Sequence, residues 1–502
     1  MSQLKKGAVL SYITIFITNI IGLLLTPFII SKLGDAEYGL YTLIGAFVGY
    51  IGVLDFGLNN AIVRFVAKYK AEKDKKGEEN FLATAMLIYS VIAILIVIIG
   101  GALYFNLESI FTKSLTFNEL GKAKVMFLIL IFNLAITLPG GAFTAICTGY
   151  EHFVFPRGVN IIKYVVRSAL VVGILIMGSD AIGLVLLDTV MNLLVIVVNG
   201  WFVFKRLKVI IKLHQFKISL VKEVFSYSIW VFVFVIVNQL RWQAGQLVLV
   251  LIFSTSAVAV YAVAVTLGTY YGAFSSAIAS LLLPRATQMV IEKASAKELT
   301  EMFIKISRLI LIVLLYIFGG FVLVGREFIY FWVGDFYSEI YFYVIFIMLG
   351  LTLILSQGFA NNILEAKNTL RFRGIIMLSF AILGLILGSI LAKTQGGLGM
   401  ILGGVLFMFF ERIIMTWYYS KFLHLEMFKY YLRIAPLFLI LAITVAVDFY
   451  IFSFFDSYKI IFFILKIILY SINFAFLFWF ILEYSEKRIA QSLVLGFLKK
   501  KK

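Results

Sequence analysis

The residues of this chain that could carry chemistry are charged and amide side chains placed inside long apolar stretches. Lys163 and Arg167 lie four residues apart in one stretch, and Arg241 lies near the middle of another. A charge at the centre of a membrane costs about 3 kcal/mol or more, so such side chains usually face a water-filled cavity or one another. Arginine can form two parallel hydrogen bonds to a phosphate group, and lysine supplies a point charge. These cations therefore indicate a site for an anionic ligand.

The predicted set of anion-binding residues consists of Arg241, Arg167, Lys163, Arg64 and Asn238. Residues four apart share one face of a helix, so Lys163 and Arg167 should point the same way. Asn238 should lie one turn before Arg241 on the same side. The neighbouring amides, which favour a helix that faces a wet interior, are Gln239, Gln243 and Gln246.

Alternative roles stay open for three of these cations. Lys163 and Arg167 could extend their charged ends to the membrane–water interface while their stems stay in the apolar region. Arg241 could form an internal salt bridge with Asp55 or Asp188. The sequence alone does not decide between these roles and ligand binding.

Three acidic residues are candidates for coupling to an ion gradient, namely Asp55, Asp188 and Glu365. Asp188 lies four residues before Asn192, and Asn361 lies four residues before Glu365. Each of these pairs could bind H⁺ or Na⁺, or could form hydrogen bonds between helices. Apart from coupling to H⁺ or Na⁺, we predict no cofactor.

Catalytic and metal chemistry are not indicated. Cys147 is the only cysteine and lies in an apolar stretch, so the chain has no intrachain disulfide and no thiolate metal site. The three histidines, His152, His214 and His424, have no metal-ligand spacing. We therefore expect the protein not to be an enzyme.

The composition is typical of a membrane protein. Of the 502 residues 62% are hydrophobic and 14% are charged, with a mean hydropathy of +1.04, whereas soluble domains carry roughly 25% charged residues. The net charge of +18 would suggest nucleic acid in a soluble protein. Here the basic residues lie between apolar stretches, where they set membrane orientation, so no nucleic-acid partner is expected.

Fourteen apolar stretches are long enough to cross a membrane, which takes about 20 residues. The predicted spans are approximately 9–30, 41–63, 81–105, 123–147, 160–178, 181–204, 224–253, 257–283, 304–325, 337–365, 374–393, 398–420, 433–453 and 460–483. The region 224–283 is apolar almost throughout and could be divided differently near Gln243–Gln246. The expected fold is thus an all-α polytopic membrane protein.

The spans group into a predicted domain organisation of two six-helix lobes and two C-terminal helices. The domains are an N-lobe of spans 1 to 6 (1–204), a basic cytoplasmic linker (205–223), a C-lobe of spans 7 to 12 (224–420), spans 13 and 14 (421–483), and a basic cytoplasmic tail (484–502). Residues 36–52 and 259–275 resemble each other, which favours a parallel repeat. The linker mixes basic and apolar residues and could lie on the membrane surface or be a solvated loop.

The distribution of basic residues predicts the orientation. Most of the 44 lysines and arginines fall in segments that share a side with the N-terminus. Because cytoplasmic loops carry an excess of these residues, both termini of this multi-pass chain should be cytoplasmic.

Two stretches carry a family resemblance. SKLGDAEYGLYTLI at 31–44 with LDFGLNNAIVRF at 54–65, and TSAVAVYAVAVTL at 255–267, resemble the polysaccharide-type (Wzx-like) lipid flippases. These are exporters of lipid-linked oligosaccharides within the multidrug/oligosaccharidyl-lipid/polysaccharide exporter superfamily. The specific motifs cover these two stretches, and the span count agrees over the whole chain.

The resemblance implies a flippase of the bacterial cytoplasmic (inner) membrane. It would move undecaprenyl-pyrophosphate-linked oligosaccharide repeat units outward by alternating access, for a surface polysaccharide such as capsule or O-antigen. Its partners would be the lipid-linked oligosaccharide, membrane lipid, and a polysaccharide polymerase with its chain-length machinery. The rivals are a lipid II flippase, a multidrug transporter of the same superfamily, and a membrane-embedded glycosyltransferase or polymerase. The short outer loops disfavour the last of these.

Overall fold

The computed structural model of the chain describes residues 3–111, 114–279, 283–367, 369–453 and 459–488. These residues form helices joined by short turns, with no β-strand among them, which confirms the all-α prediction. The α-helices are α1 (Gln3–Leu33), α2 (Asp35–Gly52), α3 (Leu58–Glu72), α4 (Lys75–Phe111), α5 (Phe117–Gly149), α6 (Val154–Ile176), α7 (Ala181–Trp201), α8 (Ile218–Trp242), α9 (Ala244–Ile252), α10 (Thr255–Ala279), α11 (Leu283–Ile291), α12 (Ala296–Val333), α13 (Ile340–Ser356), α14 (Gly358–Ala366), α15 (Arg371–Phe422), α16 (Met427–Phe452) and α17 (Ile460–Ile481). Most of the predicted basic tail, 489–502, lies outside the described residues.

The number of membrane spans follows from the length and bending of these helices. Among the described residues, 12 helical stretches are long and apolar enough to cross a membrane. Two of these stretches join neighbouring helices across a short break, α2 with α3 and α8 with α9. α13 and α14 together form a thirteenth stretch, which is bent by 45° at Gln357.

α15 provides two spans rather than one. Its 52 residues would form a straight helix about 78 Å long, more than twice the thickness of a bilayer core. The backbone leaves the helical conformation at Gly396, where φ is 57° and ψ is −139°. The residues just after this turn fold back against the first half within unit 1, because a β-carbon on Gly403 would stand 2.3 Å from the backbone nitrogen of Gly388. If α15 is counted as two spans, the described residues offer fourteen candidate spans, the number predicted.

The surface of the helices is covered with apolar side chains. Leu24, Val97 and Phe449 are 69%, 53% and 72% exposed. Soluble proteins rarely expose contiguous apolar surface of this kind, and acyl chains would cover it. The protein is therefore a multi-pass membrane protein, as predicted.

The chain divides into two compact units. Unit 1 consists of Met1–Ala262 and Gly374–Gly404, and unit 2 of Val263–Arg373 and Val405–Lys502. The lobe boundaries given by the sequence remain predictions.

Unit 1 is built around α5, which packs against α2, α3, α4 and α7. Small residues permit this close packing. A β-carbon on Gly140 of α5 would stand 2.5 Å from the side chain of Ile196, and one on Gly149 would stand 2.8 Å from Val66. Backbones that approach this closely gain dispersion contacts, which replace the hydrophobic effect as the cause of helix association in lipid.

Unit 2 is built around α12, which packs against α13, α16 and α17. A buried ion pair joins Lys466 Nζ of α17 to Glu327 Oε1 of α12 at 2.8 Å. The hydroxyl of Tyr470 donates to the carbonyl oxygen of Tyr316 at 2.7 Å. The last two spans are thereby fixed to α12 by polar as well as apolar contacts.

Loops that the sequence places on the same side of the membrane contact one another in the structure. In unit 1, Lys122 lies 2.8 Å from Glu37 and 3.1 Å from Asp180, which joins three loops predicted to be outside. At the other end of the same unit, Lys70 Nζ donates to the carbonyl oxygen of Tyr150, which joins two loops predicted to be inside. The alternation of the loops between two ends therefore agrees with the predicted topology.

Candidate functional site

Two of the predicted anion-binding residues lie in a row of paired side chains between α6 and α7 of unit 1. Arg167 donates through Nε to Asp188 Oδ1, and through Nη2 to Asp188 Oδ2 at 2.9 Å. One turn earlier on α6, Lys163 Nζ donates to Asn192 Oδ1 at 2.5 Å. Arg167 follows Lys163 by four residues on α6, and its partner Asp188 precedes Asn192 by four residues on α7. This is the register of two antiparallel helices in contact.

Two further helices of unit 1 complete this row. The hydroxyl of Tyr41 in α2 donates to Asp188 Oδ2 at 3.2 Å, and Arg167 Nη2 lies 3.4 Å from the same hydroxyl. Asn192 Nδ2 donates to Asn133 Oδ1 of α5 at 3.2 Å. The six residues, which we call the polar ladder, are Tyr41, Asn133, Lys163, Arg167, Asp188 and Asn192.

The polar ladder carries one positive charge in excess. Asp188 neutralises Arg167, whereas the hydrogen-bond partner of Lys163 is a neutral amide. Lys163 feels the charge of Asp188 as well, but among the described residues its hydrogen bond is to Asn192 and it forms no ion pair. The side chains of Arg167 and Asp188 remain 20% and 26% exposed, and Lys163 is half-buried, so packing does not seal the ladder completely. An anionic group could therefore approach Lys163 and find an uncompensated charge.

Asp55 lies at a break between α2 and α3. After a short 3₁₀ turn, Val53–Asp55, the backbone is left-handed at Phe56 and Gly57, with φ of 50° and 72°. Asp55 Oδ1 accepts hydrogen bonds from the Tyr89 hydroxyl at 2.9 Å and from Asn59 Nδ2 at 3.2 Å. Asp55 thus stabilises the break, and its role in ion coupling remains a prediction.

Arg241 and Asn238 lie near the end of α8. Asn238 is exposed and Arg241 is half-buried. Gln239, expected on a wet face, instead packs against α2, where its Nε2 donates to the carbonyl oxygen of Gly49 at 2.9 Å. The hydroxyl of Tyr50 donates back to the carbonyl oxygen of Gln239 at 3.2 Å. These bonds fix the register of α8 against α2.

The remaining predicted site residues are not part of the polar ladder. Arg64 is exposed on α3 of unit 1. Glu365 is exposed near the end of α14 and belongs to unit 2. Asn361, which the sequence paired with Glu365, accepts a hydrogen bond from the Tyr419 hydroxyl at 2.7 Å and so joins α14 to α15.

Several charged residues in the spans of unit 2 are paired within that unit. Arg308 donates to both carboxylate oxygens of Glu486, at 2.7 and 2.9 Å, and Arg412 bonds to Glu411 and to Gln357. Such buried pairs are costly to break, because removal of one partner leaves an unpaired charge. Among the described residues, no group of three His, Cys, Asp or Glu side chains could hold a metal ion.

A cavity of about 520 Å³ opens at one end of unit 2. Its charged lining residues are Glu292, Lys297, Glu298, Glu301, Lys305 and Glu483. They come from the loop before α12, the start of α12 and the end of the last span. The lining has charges of both signs and lies among loops, so it does not resemble the anion site expected within the spans.

Tyr41 and Asn133, which complete the polar ladder, were not among the predicted site residues. The cations of α6 and the polar pair of α7 were predicted as separate features. The matching four-residue spacing on two consecutive spans joined by a short turn was a signal for their pairing. No comparable local signal indicated Tyr41 or Asn133, because their helices reach α7 only through the tertiary fold.

Comparisons with known proteins agree with this architecture. The model of the family described as "Polysaccharide biosynthesis protein" matches residues 4–290, more than half of the chain. No curated protein matches the chain at a significant level.

Solved structures with the same fold are flippases and transporters. The lipid II flippase MurJ in an inward closed conformation has a TM-score of 0.72 at 17% identity, over 93% of this chain and 98% of that one. An inward-facing multidrug resistance MATE transporter of the MOP superfamily has a TM-score of 0.63 at 14% identity, over 81% and 96%. A MOP superfamily transporter from Pyrococcus furiosus, described as having reverse polarity of the binding pocket, has a TM-score of 0.53 at 15% identity, over 82% and 93%. The chain belongs to the family described as "Polysaccharide biosynthesis protein" and shares its fold with these flippase and transporter structures.

Proposed function

We propose that the protein is a flippase for lipid-linked oligosaccharides. It would carry undecaprenyl-pyrophosphate-linked repeat units from the cytoplasmic to the outer leaflet of the bacterial cytoplasmic membrane by alternating access. The units would serve the assembly of a surface polysaccharide such as capsule or O-antigen. The family match supports a role in polysaccharide biosynthesis, and the likeness in fold to a lipid II flippase supports the transport of a lipid-linked substrate.

The observation that carries this proposal is the uncompensated charge of Lys163 in the polar ladder. The pyrophosphate of such a substrate is dianionic or more, and its transfer out of water requires a cationic partner. Lys163 supplies that charge because Asn192 does not neutralise it, while Arg167 is already paired with Asp188. The geometry therefore supports Lys163 as a first contact of the pyrophosphate and Arg167 as a residue that positions Asp188 and Tyr41.

A multidrug transporter is the less well supported alternative. A site for cationic drugs needs an excess of carboxylates, because a desolvated cation must be neutralised. The polar ladder has the opposite excess. One structure of the same fold is described by the reverse polarity of its pocket, which suggested a different function for that protein. Polarity is thus a useful criterion within this fold.

A lipid II flippase is the alternative that shares the pyrophosphate. A transport assay with defined substrates separates the two. The purified protein in proteoliposomes would be offered undecaprenyl-pyrophosphate with oligosaccharides of known sequence, or lipid II, on one side, and arrival on the other side would be measured. Transport of lipid II alone would replace the proposed function. Transport of neither substrate, by protein that is shown to be folded, would contradict both.

Deletion of the gene gives a second, cellular test. Loss of the flippase should leave lipid-linked repeat units in the inner leaflet and remove surface polysaccharide. Normal surface polysaccharide in a strain without another such flippase would contradict the proposal. A polymerase with its chain-length machinery would be the next consumer of the exported unit.

We further propose that both termini are cytoplasmic. Single cysteines in a Cys147→Ser background, placed in the loop 64–80 and near Lys499, should react only with reagents applied from the cytoplasmic side. Coupling to H⁺ or Na⁺ through Asp55, Asp188 or Glu365 is also proposed. It would appear as transport that depends on a gradient of one ion and is lost when that carboxylate is neutralised.

A further inference from the structure

The chain between α7 and α8 is held in place although it has no regular structure. After the π-helical turn Phe202–Arg206, residues 207–217 run without helix to α8. The backbone N–H groups of His214 and Gln215 both donate to Asn80 Oδ1, at 2.9 and 2.7 Å. His214 Nε2 also lies 2.7 Å from Glu79 Oε2. These contacts with the start of α4 hold residues 214 and 215 within the stretch 207–218, which we call the linker segment.

The linker segment exposes a row of large apolar side chains. Ile210, Leu213, Phe216 and Ile218 are 59%, 45%, 55% and 59% exposed. The first three recur every third residue. Trp201, at the end of the preceding span, is 54% exposed as well. The exposed apolar side chains of the linker segment therefore continue the exposed apolar surface at the end of the preceding membrane span.

Basic residues accompany these apolar side chains. The cations within and beside the linker segment, all exposed, are Lys205, Arg206, Lys208, Lys212, Lys217 and Lys222. Glu223 is the acidic residue that follows them in sequence. Apolar side chains interspersed with lysines are suited to the membrane interface, where apolar groups enter the acyl region and lysines meet anionic headgroups.

We propose that the linker segment binds the surface of a membrane that contains anionic lipid. Ile210, Leu213, Phe216 and Ile218 insert below the headgroups, and the lysines contact the lipid phosphates. The hydrogen bonds with Asn80 and Glu79 hold the linker segment at the level of the lipid headgroups. The interaction concerns bulk lipid rather than the transported molecule, so it does not depend on the proposed substrate.

Spin-label accessibility tests the proposal on the full chain. A nitroxide is attached at Leu213→Cys in the Cys147→Ser background, and the protein is placed as single copies in nanodiscs of phosphatidylcholine and phosphatidylglycerol. The label should be several-fold less accessible to a water-soluble nickel complex than a label at Glu72→Cys, an exposed site on the same unit. It should approach the behaviour of a label at Trp201→Cys. Equal accessibility at positions 213 and 72 would overturn the proposal. Because each nanodisc holds one copy of the chain, shielding at position 213 cannot come from a second copy.

The contribution of the lysines is tested by the same measurement. In nanodiscs of phosphatidylcholine alone, or in the Lys208→Gln, Lys212→Gln, Lys217→Gln variant, the label at position 213 should become several-fold more accessible to the nickel complex. Shielding that is unchanged in both cases would overturn the recognition of anionic lipid. Asn80→Ala removes the acceptor of two backbone bonds and should also expose the label, while transport assays report separately on the proposed function.

Discussion

Lys163 of α6 bonds to the neutral amide of Asn192 in α7, whereas Arg167, one turn away, is neutralised by the carboxylate of Asp188. Two cations on one helix face therefore have different electrostatic surroundings. The arginine is committed to an ion pair, and the lysine keeps its charge available. This difference assigns the two residues different roles in binding an anion.

Replacement of Lys163 should weaken binding of the substrate without unfolding the protein. Lys163→Gln keeps a hydrogen-bond donor for Asn192 but removes the charge. Loss of a charge-assisted contact costs about 1.5–3 kcal/mol, or roughly one to two decades in affinity. Lys163→Arg should retain part of the affinity. Binding of pyrophosphate-linked oligosaccharide to the purified variants measures both effects.

A lysine elsewhere on unit 1 provides the control for that experiment. Lys124, near the start of α5, forms an ion pair with Glu108 at the protein surface, and surface pairs of this kind contribute about 0–1 kcal/mol. Lys124→Gln should therefore bind substrate like the wild type. Wild-type affinity in Lys163→Gln would show that the excess charge of the polar ladder is not used for binding.

The glycine contacts of the α15 hairpin predict an asymmetric effect of two neighbouring substitutions. A β-carbon on Gly403 would stand 2.3 Å from the backbone nitrogen of Gly388, whereas one on Gly404 meets nothing within 4 Å. Gly403→Ala should destabilise the protein by about 1–3 kcal/mol, because the facing backbone must move. Gly404→Ala should be neutral or slightly stabilising, since alanine favours helix.

Thermal unfolding of the two glycine variants in the same detergent decides the point. A lower midpoint for Gly403→Ala alone confirms the close approach of the two halves. Equal midpoints for the two variants would contradict the hairpin and with it the count of fourteen spans.

Much of the fold could be predicted from the sequence because it depends on local properties. The length of apolar stretches gave the spans, and the gap between 393 and 398 agrees with the turn at Gly396. The pairing of Lys163 with Asn192 followed in principle from equal spacing on consecutive antiparallel helices. Tyr41 and Asn133 could not be predicted, because their contribution depends on which distant helices pack against α7.

Substitution of Arg241 tests whether the end of α8 takes part in substrate binding. Arg241→Ala removes the charge and the paired donors of the guanidinium, and Arg241→Lys keeps the charge alone. If Arg241 contacts the pyrophosphate, lysine should retain part of the transport and alanine very little, with both proteins inserted. The measurement is transport per folded molecule.

The structural alternative for Arg241 predicts a different result. If it stabilises the fold, Arg241→Ala should lower the amount of folded protein and leave transport per molecule unchanged. Wild-type transport per molecule in the alanine variant would thus remove Arg241 from the binding site. Asp188 is already paired with Arg167, so its removal should not rescue Arg241→Ala.

Substitutions of the ion pair of Arg167 and Asp188 distinguish a role of Arg167 in positioning other side chains from a role in binding the substrate. Asp188→Leu leaves a cation without its partner, and Arg167→Leu leaves an anion. Breaking a buried pair costs about 3–5 kcal/mol, and the partial exposure of these two side chains should place the cost near the lower end. Both single variants should therefore yield less folded protein with a lower unfolding midpoint.

The double variant Arg167→Leu, Asp188→Leu removes both charges and leaves the excess charge of the ladder unchanged. Apolar replacement of a whole buried pair is often neutral or stabilising, so the unfolding midpoint should recover. If Arg167 acts by positioning Asp188 and Tyr41, the double variant should still bind pyrophosphate-linked substrate through Lys163, with at most a moderate loss. If Arg167 instead donates directly to the pyrophosphate, the double variant should be well folded and should bind no better than Arg167→Leu. Substrate affinity per folded molecule in these variants therefore distinguishes a positioning arginine from a binding arginine.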